Sequence, residues 1–548
     1  MQNLLIQYVY LILIILGLVM IANKLRLAYP IVLVVGGLVL SFTFQFSNVT
    51  IDPELVFFIF LPPLLYEAAW QISWKEFWKW RRVISIFAFL IVIITACVVA
   101  FVSYALIPGF TLALGFLLGG IVSPPDAISA TTIMRQVNVP KSLVSIVEGE
   151  SLLNDASSLI VFRFALAAII TGQFHFDEAA LTFVVVIVMG IAVGLAIAVV
   201  FYLIHRWLPT TPSIETILTL VTPYCMYYFA EHFHFSGVLA VVSGGLFLSS
   251  RRQKLLTVRS RIEAVNVWSN LVFVLNGLVF LLIGLQLRAV TQQLGDISVA
   301  SAISYGLIIS VVLIVARLLC TLGSSLFTTF ISRFITVADA HPGWRNPLIF
   351  GWSGMRGVVS LAAALSIPLF ISEGVPFPYR NLILFITFVV ILVTLVFQGM
   401  TLPWVIRTIK PEDRYTTIPE HQQEVLIQQK LASASLRFLR ERYGNERSHN
   451  EHLNSLFSKL QTDLRSLDGH SHEPANANQS ALTEYQKVYL QLLETQRKLL
   501  EDMNHSTEFD EELIRKYLSL IDLEEFNIRE REVREGGSES DPEAPQTY

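Results

Sequence analysis

The chain has 548 residues, 54 % of them hydrophobic and 15 % charged, with 37 Phe, 17 Tyr and 9 Trp, whereas soluble domains carry roughly 25 % charged residues. This composition excludes an ordinary soluble enzyme and makes lipid the solvent for most of the chain. The net charge of −4 hides a segregation, because residues 1–410 hold 23 Lys/Arg against 16 Asp/Glu while residues 411–548 hold 16 against 27. Two parts in different surroundings follow, a membrane part over 1–410 and an acidic cytosolic tail over 411–548, with no nucleic-acid partner expected for either.

The apolar stretch Leu4 to Ile21 lacks a basic region before it and a small-residue cleavage site after it, so it reads as a retained first span and not a signal peptide. About 20 apolar residues cross the hydrocarbon core, which predicts spans near 4–23, 30–46, 54–70, 83–107, 111–134, 141–171, 180–206, 213–231, 236–250, 264–287, 298–331, 346–371 and 380–408. An odd count of thirteen puts the two ends on opposite sides. The alternate connections that begin with Lys24 and Arg26 hold 16 Lys/Arg, and the intervening set holds only Arg288 and Arg380. Basic connections face the cytoplasm, so the N-terminus is expected outside and the tail inside. Cys97, Cys225 and Cys320 lie far apart in apolar stretches and offer neither a disulfide framework nor a metal site.

A charge at the bilayer centre is costly, and each one inside a span is a functional candidate. The spans contain Glu67, Asp126, Glu148, Glu150, Asp155, Arg163, Arg317 and Arg356. For Asp126, Arg163 and Arg317 the expected role is pairing between helices. The span from Lys141 carries an unusually polar run, Glu148 to Ser158. On helical geometry Ser151 and Asp155 form one row and Glu150 and Asn154 an adjacent one. The first offers hard oxygen donors suited to a small cation, and the second offers a carboxylate and an amide able to receive a guanidinium.

Two other spans read as broken. Ser123-Pro124-Pro125-Asp126 puts two prolines mid-span, and Gly351 to Gly357 puts three glycines and Arg356 mid-span. Such irregular backbone survives in lipid only where protein or a wet cavity surrounds it. Paired interruptions in the two halves of a membrane protein point to a transport site at the midplane.

Downstream of Pro411, apolar residues recur at helical spacing in Val425–Tyr443, Leu482–Leu500 and Leu513–Phe526, which predicts amphipathic cytosolic helices. Gly469–Ser480 reads as a linker and Gly536–Tyr548 as a disordered acidic end.

Five stretches in order, Phe60-Leu61-Pro62-Pro63-Leu64-Leu65-Tyr66-Glu67, Ser123-Pro124-Pro125-Asp126-Ala127, Glu150-Ser151-Leu152-Leu153-Asn154-Asp155, Ala230-Glu231 with Ser236-Gly237-Val238-Leu239-Ala240, and Gly354-Met355-Arg356-Gly357, together resemble the monovalent cation:proton antiporter-1 family, including its bacterial NhaP-type members. The resemblance covers Leu4 to about Arg407. It implies an all-α polytopic membrane protein of about thirteen transmembrane helices, with inverted repeats, two broken crossing helices, a dimerisation domain and a six-helix core. It also implies a homodimer in the bacterial plasma membrane, with no cofactor and no catalytic residue. Carried over by position, Asp155 matches the carboxylate that binds ion and proton, Ser151 and Glu67 match further contacts to the monovalent cation, and Asn154 matches the neighbouring asparagine. Glu150 and Arg356 match an ion pair that holds two helices together. Pro125 departs from the Thr, Ala or Val usual in the family, so a threonine oxygen open to the ion in some relatives is missing here. That departure bears on selectivity among Na⁺, K⁺ and Li⁺ and not on mechanism.

The expected activity is antiport of a monovalent cation, Na⁺ first, against H⁺, because one carboxylate in lipid is compensated either by a proton or by a cation. With Asn154 in place of a second acid, the expected ratio is one to one and electroneutral. A cation channel would share these carboxylates without coupling to protons. A rhomboid-like intramembrane protease would use the GxSG pattern at Gly351-Trp352-Ser353-Gly354, yet no histidine base lies between Ser353 and His421.

Overall fold

In the computed structural model the described residues are 2–25, 27–42, 53–137, 139–172, 176–251, 255–292, 297–334, 343–372, 375–411, 420–443, 451–469 and 489–498, with a few isolated positions besides. The chain divides into two compact units, Met1–Tyr415 and Thr416–Tyr548.

The first unit is built from helices α1 (Gln2–Leu25), α2 (Tyr29–Leu40), α3 (Pro53–Gln71), α4 (Trp74–Ser85), α5 (Val92–Leu106), α6 (Leu112–Val122), α7 (Ala127–Gln136), α8 (Lys141–Thr171), α9 (Phe176–Trp207), α10 (Pro212–His232), α11 (Gly237–Ser250), α12 (Val258–Gln292), α13 (Val299–Ile331), α14 (Arg345–Trp352), α15 (Val358–Leu365), α16 (Arg380–Val393) and α17 (Gly399–Ile409). Seven helical segments among the described residues are long and apolar enough to cross a membrane: 74–106, 112–135, 141–171, 181–207, 260–286, 299–331 and 380–409. Shorter apolar helices occupy 9–25, 29–40 and 237–250. The end of the expected 30–46 span lies outside the described residues beyond Phe42.

Three features differ from the expected spans. The segment expected to start at 83 begins at Trp74, because Ser73 caps the helix by accepting from the Glu76 N–H and the amphipathic turns that follow join the apolar rod. That rod contains a π-helical turn, Ile86–Ile91, and a second π-helical turn, Thr394–Gln398, joins α16 to α17. The span expected over 346–371 leaves the helix at Leu365 and ends in a small antiparallel hairpin, Phe370–Ser372 with Val375–Pro376. Pro368 and Pro376 withhold the amide donors a continuing helix would need.

Helix α8 organises the unit. It supplies Phe162 and Ala165 to a cluster with α1, α2, α3, α5, α6, α12, α13, α15 and α16, Leu152 and Ala156 to a second with α3, α9, α10, α11 and α12, and Leu143, Ile146 and Val147 to a third with α2, α4, α7, α14 and α17. A helix so enclosed can keep a polar run inside an apolar assembly. It ends at Gly172, whose φ of 69° is the left-handed cap that glycine adopts without strain.

In the second unit α18 (Glu420–Tyr443) and α19 (Glu451–Gly469) pack through Leu436, Leu439 and Phe457. The expected helix at 425–443 lies within α18, and the one at 482–500 is described from Tyr489. Most of Leu513–Phe526, the linker beyond Gly469 and the acidic end Gly536–Tyr548 lie outside the described residues.

Candidate ion site

Both breaks expected from the sequence are present, and they meet. The first separates α6 from α7 at Ser123–Asp126, and the second separates α14 from α15 at Ser353–Gly357. The Asp126 N–H donates to the Met355 carbonyl at 2.7 Å, joining one break to the other. Gly357 is required there, since a Cβ on it would stand 2.5 Å from Asp126 Oδ2.

Four half-helix ends converge at such a crossing, each with unpaired backbone groups and a partial charge. Asp126 serves the amino end of α7, accepting from the Ile128 N–H at 3.2 Å and the Ser129 hydroxyl at 3.1 Å, and lies against Gly357 at the amino end of α15. Arg356 serves the carboxyl ends. Its Nε donates to the Val122 carbonyl at 2.9 Å, its Nη2 to the Ser123 carbonyl at 3.3 Å, and its Nη1 to the Gly354 carbonyl. Its own N–H donates to Thr394 Oγ1 at 3.1 Å, tying the second break to the π-helical turn after α16. An acid at the positive ends and a guanidinium at the negative ends compensate the crossing.

The expected pairing of Glu150 with Arg356 is therefore corrected. Glu150 is held by Arg317 of α13 in a two-pronged ion pair, Nη1 to Oε1 and Nη2 to Oε2, both at 2.8 Å, with side chains 1 % and 2 % exposed. Orphan carbonyls occupy the Arg356 guanidinium, and the missing Cβ of Gly354 leaves the space through which the Arg317 side chain passes. Arg317 is the only formally charged residue in α13. That isolation signalled a buried partner, but packing alone names which acid it meets.

The polar turn of α8 is bound to the first break through Asn154, beside Asp155, and Ser151, one turn before it. Asn154 Nδ2 donates to the Pro125 carbonyl at 2.9 Å, and the Ala127 N–H donates to Ser151 Oγ at 3.2 Å. Ser157 donates to the Ala88 carbonyl of the first π-helical turn at 2.5 Å. Asp155 is 6 % exposed, and its carboxylate has no hydrogen-bond partner among the described residues. Asp126 is the other acid whose charge reaches it. Asn154 Oδ1 and Ser123 Oγ are likewise buried without a partner among the described residues. Carboxylate, amide and hydroxyl oxygens are the donors that hard monovalent cations take.

Glu67 stands on α3. It accepts from the Gln71 amide one turn on, and the charged groups that act on it are Arg135 and Glu148, themselves paired at 2.9 Å. No hydrogen bond joins it to Asp155, Ser151 or Asn154 among the described residues. Arg163 reaches Glu231 at 2.6 Å. Ser353 is 2 % exposed and donates to the Phe350 carbonyl at 3.0 Å, so its hydroxyl closes α14 and the GxSG pattern is a helix end here.

Asn154→Ala leaves the Pro125 carbonyl without its donor and is expected to cost about 1–3 kcal/mol. Thermal unfolding in detergent checks it, with Asn154→Asp, which keeps the size and loses the donor, as comparison.

Crossed broken helices beside a buried carboxylate that has no hydrogen-bond partner among the described residues are the build of a secondary-transporter site. Residues 10–408 match the family model described as sodium/hydrogen exchanger, transmembrane, and the chain belongs to that family. An uncharacterised Na⁺/H⁺ exchanger of Mycobacterium tuberculosis is 30 % identical over 520 residues, covering 92 % of this chain and 93 % of its own. A low-affinity Na⁺/H⁺ antiporter of Synechocystis is 31 % identical over 70 % of this chain and 69 % of its own, and a sodium, potassium, lithium and rubidium/H⁺ antiporter of Bacillus subtilis is 33 % identical over 68 % of this chain and 57 % of its own. The solved structure of the sodium proton antiporter MjNhaP1 from Methanocaldococcus jannaschii shares the fold, with a TM-score of 0.58 at 18 % identity over 75 % of this chain and all of its own.

Proposed function

We propose that the chain exchanges a monovalent cation for H⁺ by alternating access, with Asp155 as the group that both occupy in turn. The observation that carries this reading is the Asp155 carboxylate, buried on the turn of α8 fastened to the break and left without a hydrogen-bond partner among the described residues. A bare carboxylate in such surroundings is costly. It crosses the barrier only when a proton or a cation compensates it, and since the two exclude one another, exchange needs no ATP.

Ser151 and Asn154 Oδ1, the latter without a hydrogen-bond partner among the described residues, lie within about one turn of Asp155 and are the further oxygens assigned to the cation. Glu67, on whose charge Arg135 and Glu148 act, is assigned as a further contact to the cation. Asp126 and Arg356 compensate the crossing and travel with it, and Glu150 with Arg317 locks α8 to α13. Na⁺ is the first expectation for the cation, with K⁺ and Li⁺ next. Thirteen spans, a dimer of identical chains, the outside N-terminus and the cytosolic tail complete the proposal.

The test uses full-length protein in proteoliposomes with an internal pH probe, adding Na⁺, K⁺ or Li⁺ separately. Proton movement that follows the cation gradient supports exchange, and cation conductance without proton movement overturns it in favour of a channel. Because one carboxylate carries one charge at a time, the rate is expected to be the same at zero and at an imposed negative potential. A rate that tracks the potential overturns the one-to-one ratio.

A further inference from the structure

Two ion pairs flank Asp155 along α8, and they differ in kind. On the Lys141 side, Glu148 of α8 meets Arg135 of α7 at 2.9 Å. Both helices belong to the crossing, since α7 is already fastened to α8 through Ala127 and Ser151. On the Thr171 side, Arg163 of α8 meets Glu231 of α10 at 2.6 Å. Helix α10 packs with α3, α9, α11 and α12 in one cluster, which α8 borders along a single side through Leu152, Leu153, Ala156 and Leu159.

Arg163 stands eight residues beyond Asp155, about 12 Å along the helix axis, in a stretch that otherwise reads Leu159-Ile160-Val161-Phe162 and Phe164-Ala165-Leu166. An arginine there is expensive in lipid unless a carboxylate receives it. The receiving group is preset. Glu231 Oε1 accepts from the Gly237 N–H at 3.1 Å, at the start of α11, while Oε2 takes Arg163. Gly237 allows this, because a Cβ on it would stand 3.0 Å from Glu231 Cγ and 2.7 Å from the Tyr227 ring. Glu231 is thus part of the α10–α11 corner, and Arg163 reaches it from α8.

We infer that the Arg163–Glu231 pair is a latch across the sliding boundary of the transport cycle, closed while the Thr171 side of the site is shut and broken when α8 exposes Asp155 to that side. The apolar contacts of Leu152, Leu153, Ala156 and Leu159 can shift gradually along their neighbours. A charge pair is either made or lost, which gives the boundary two discrete positions. The inference rests on the alternating-access reading above and adds to it which contact must open.

The experiment uses the full chain with Cys97, Cys225 and Cys320 replaced by serine, carrying Arg163→Cys and Glu231→Cys together, reconstituted with an internal pH probe. Exchange is measured before bridging, after bridging the two thiols with a bifunctional methanethiosulfonate of matching span, and after reduction. Bridging is expected to lower exchange at least about tenfold, with recovery on reduction. A bridged protein that exchanges at the unbridged rate overturns the latch. A second measurement covers a double variant that is slow from the start, namely labelling of Leu159→Cys by an impermeant maleimide from the Thr171 side. Labelling is expected to rise at least about threefold in Arg163→Gln and to return to the parental level in Arg163→Lys; equal labelling in all three overturns the latch. Failure of the exchange reading shows separately, as absence of cation-driven proton movement in the cysteine-free parent.

Discussion

Asp155→Asn is expected to reduce cation-driven proton movement at least about a hundredfold while the protein folds normally. The amide has nearly the shape of the carboxyl, and the contact the residue makes with Ser158 runs through its backbone carbonyl at 3.1 Å, so packing of α8 is kept. What is lost is the single group for which cation and proton compete. An amide neither protonates at working pH nor supplies the charge that holds a monovalent cation, so neither loaded form exists. The measurement is dequenching of an internal pH probe in proteoliposomes, with elution volume and thermal unfolding as controls for folding. Asp155→Glu restores the charge but adds a methylene in a buried position, and an intermediate rate is expected from it. An amide variant that exchanges at the parental rate rejects Asp155 as the shared site.

The other large effect is on stability. Arg317→Ala is expected to destabilise the folded protein by about 3–5 kcal/mol, because it strands the Glu150 carboxylate in the interior with no countercharge. Glu150→Leu combined with Arg317→Met removes both charges at similar volume and is expected to recover most of that loss. Thermal unfolding in detergent and the yield of monodisperse protein read both. A double-mutant cycle across Glu150 and Arg317 should give a large coupling energy, and the same cycle across Glu150 and Arg356 a much smaller one, since Arg356 spends its guanidinium on the Val122, Ser123 and Gly354 carbonyls. A stable, fully expressed Arg317→Ala rejects the pairing. The two experiments separate chemistry from architecture, with Asp155→Asn losing transport and keeping the fold, and Arg317→Ala losing the fold first.

The breaks were legible in the sequence because their causes are local. Pro124 and Pro125 lack amide donors wherever the chain puts them, and glycines at 351, 354 and 357 permit unwinding in any surroundings. The polar run from Glu148 to Ser158 was equally plain, since nothing but enclosure by other helices reconciles it with lipid. The partner of Glu150 was not legible. Three arginines, at 163, 317 and 356, lay within spans facing several acids, and the family resemblance implied the one in the second break. Neither that resemblance nor helical periodicity carries information on which distant helix lies against α8 in this chain.

The sequence by itself determined that this chain is a membrane protein with two interrupted spans and a charged C-terminal stretch, because apolar length, proline chemistry and charge segregation act along the chain and need no partner. The tertiary structure alone decided how isolated charges are shared out: Glu150 to Arg317, Arg356 to the carbonyls of the first break, Asp126 to two helix amino ends, Arg163 to Glu231, and Asp155 to no side chain described. An ion pair is made by contact within a few ångströms, and contact between residues 68 or 167 positions apart is fixed by how whole helices pack, a property that no single segment possesses.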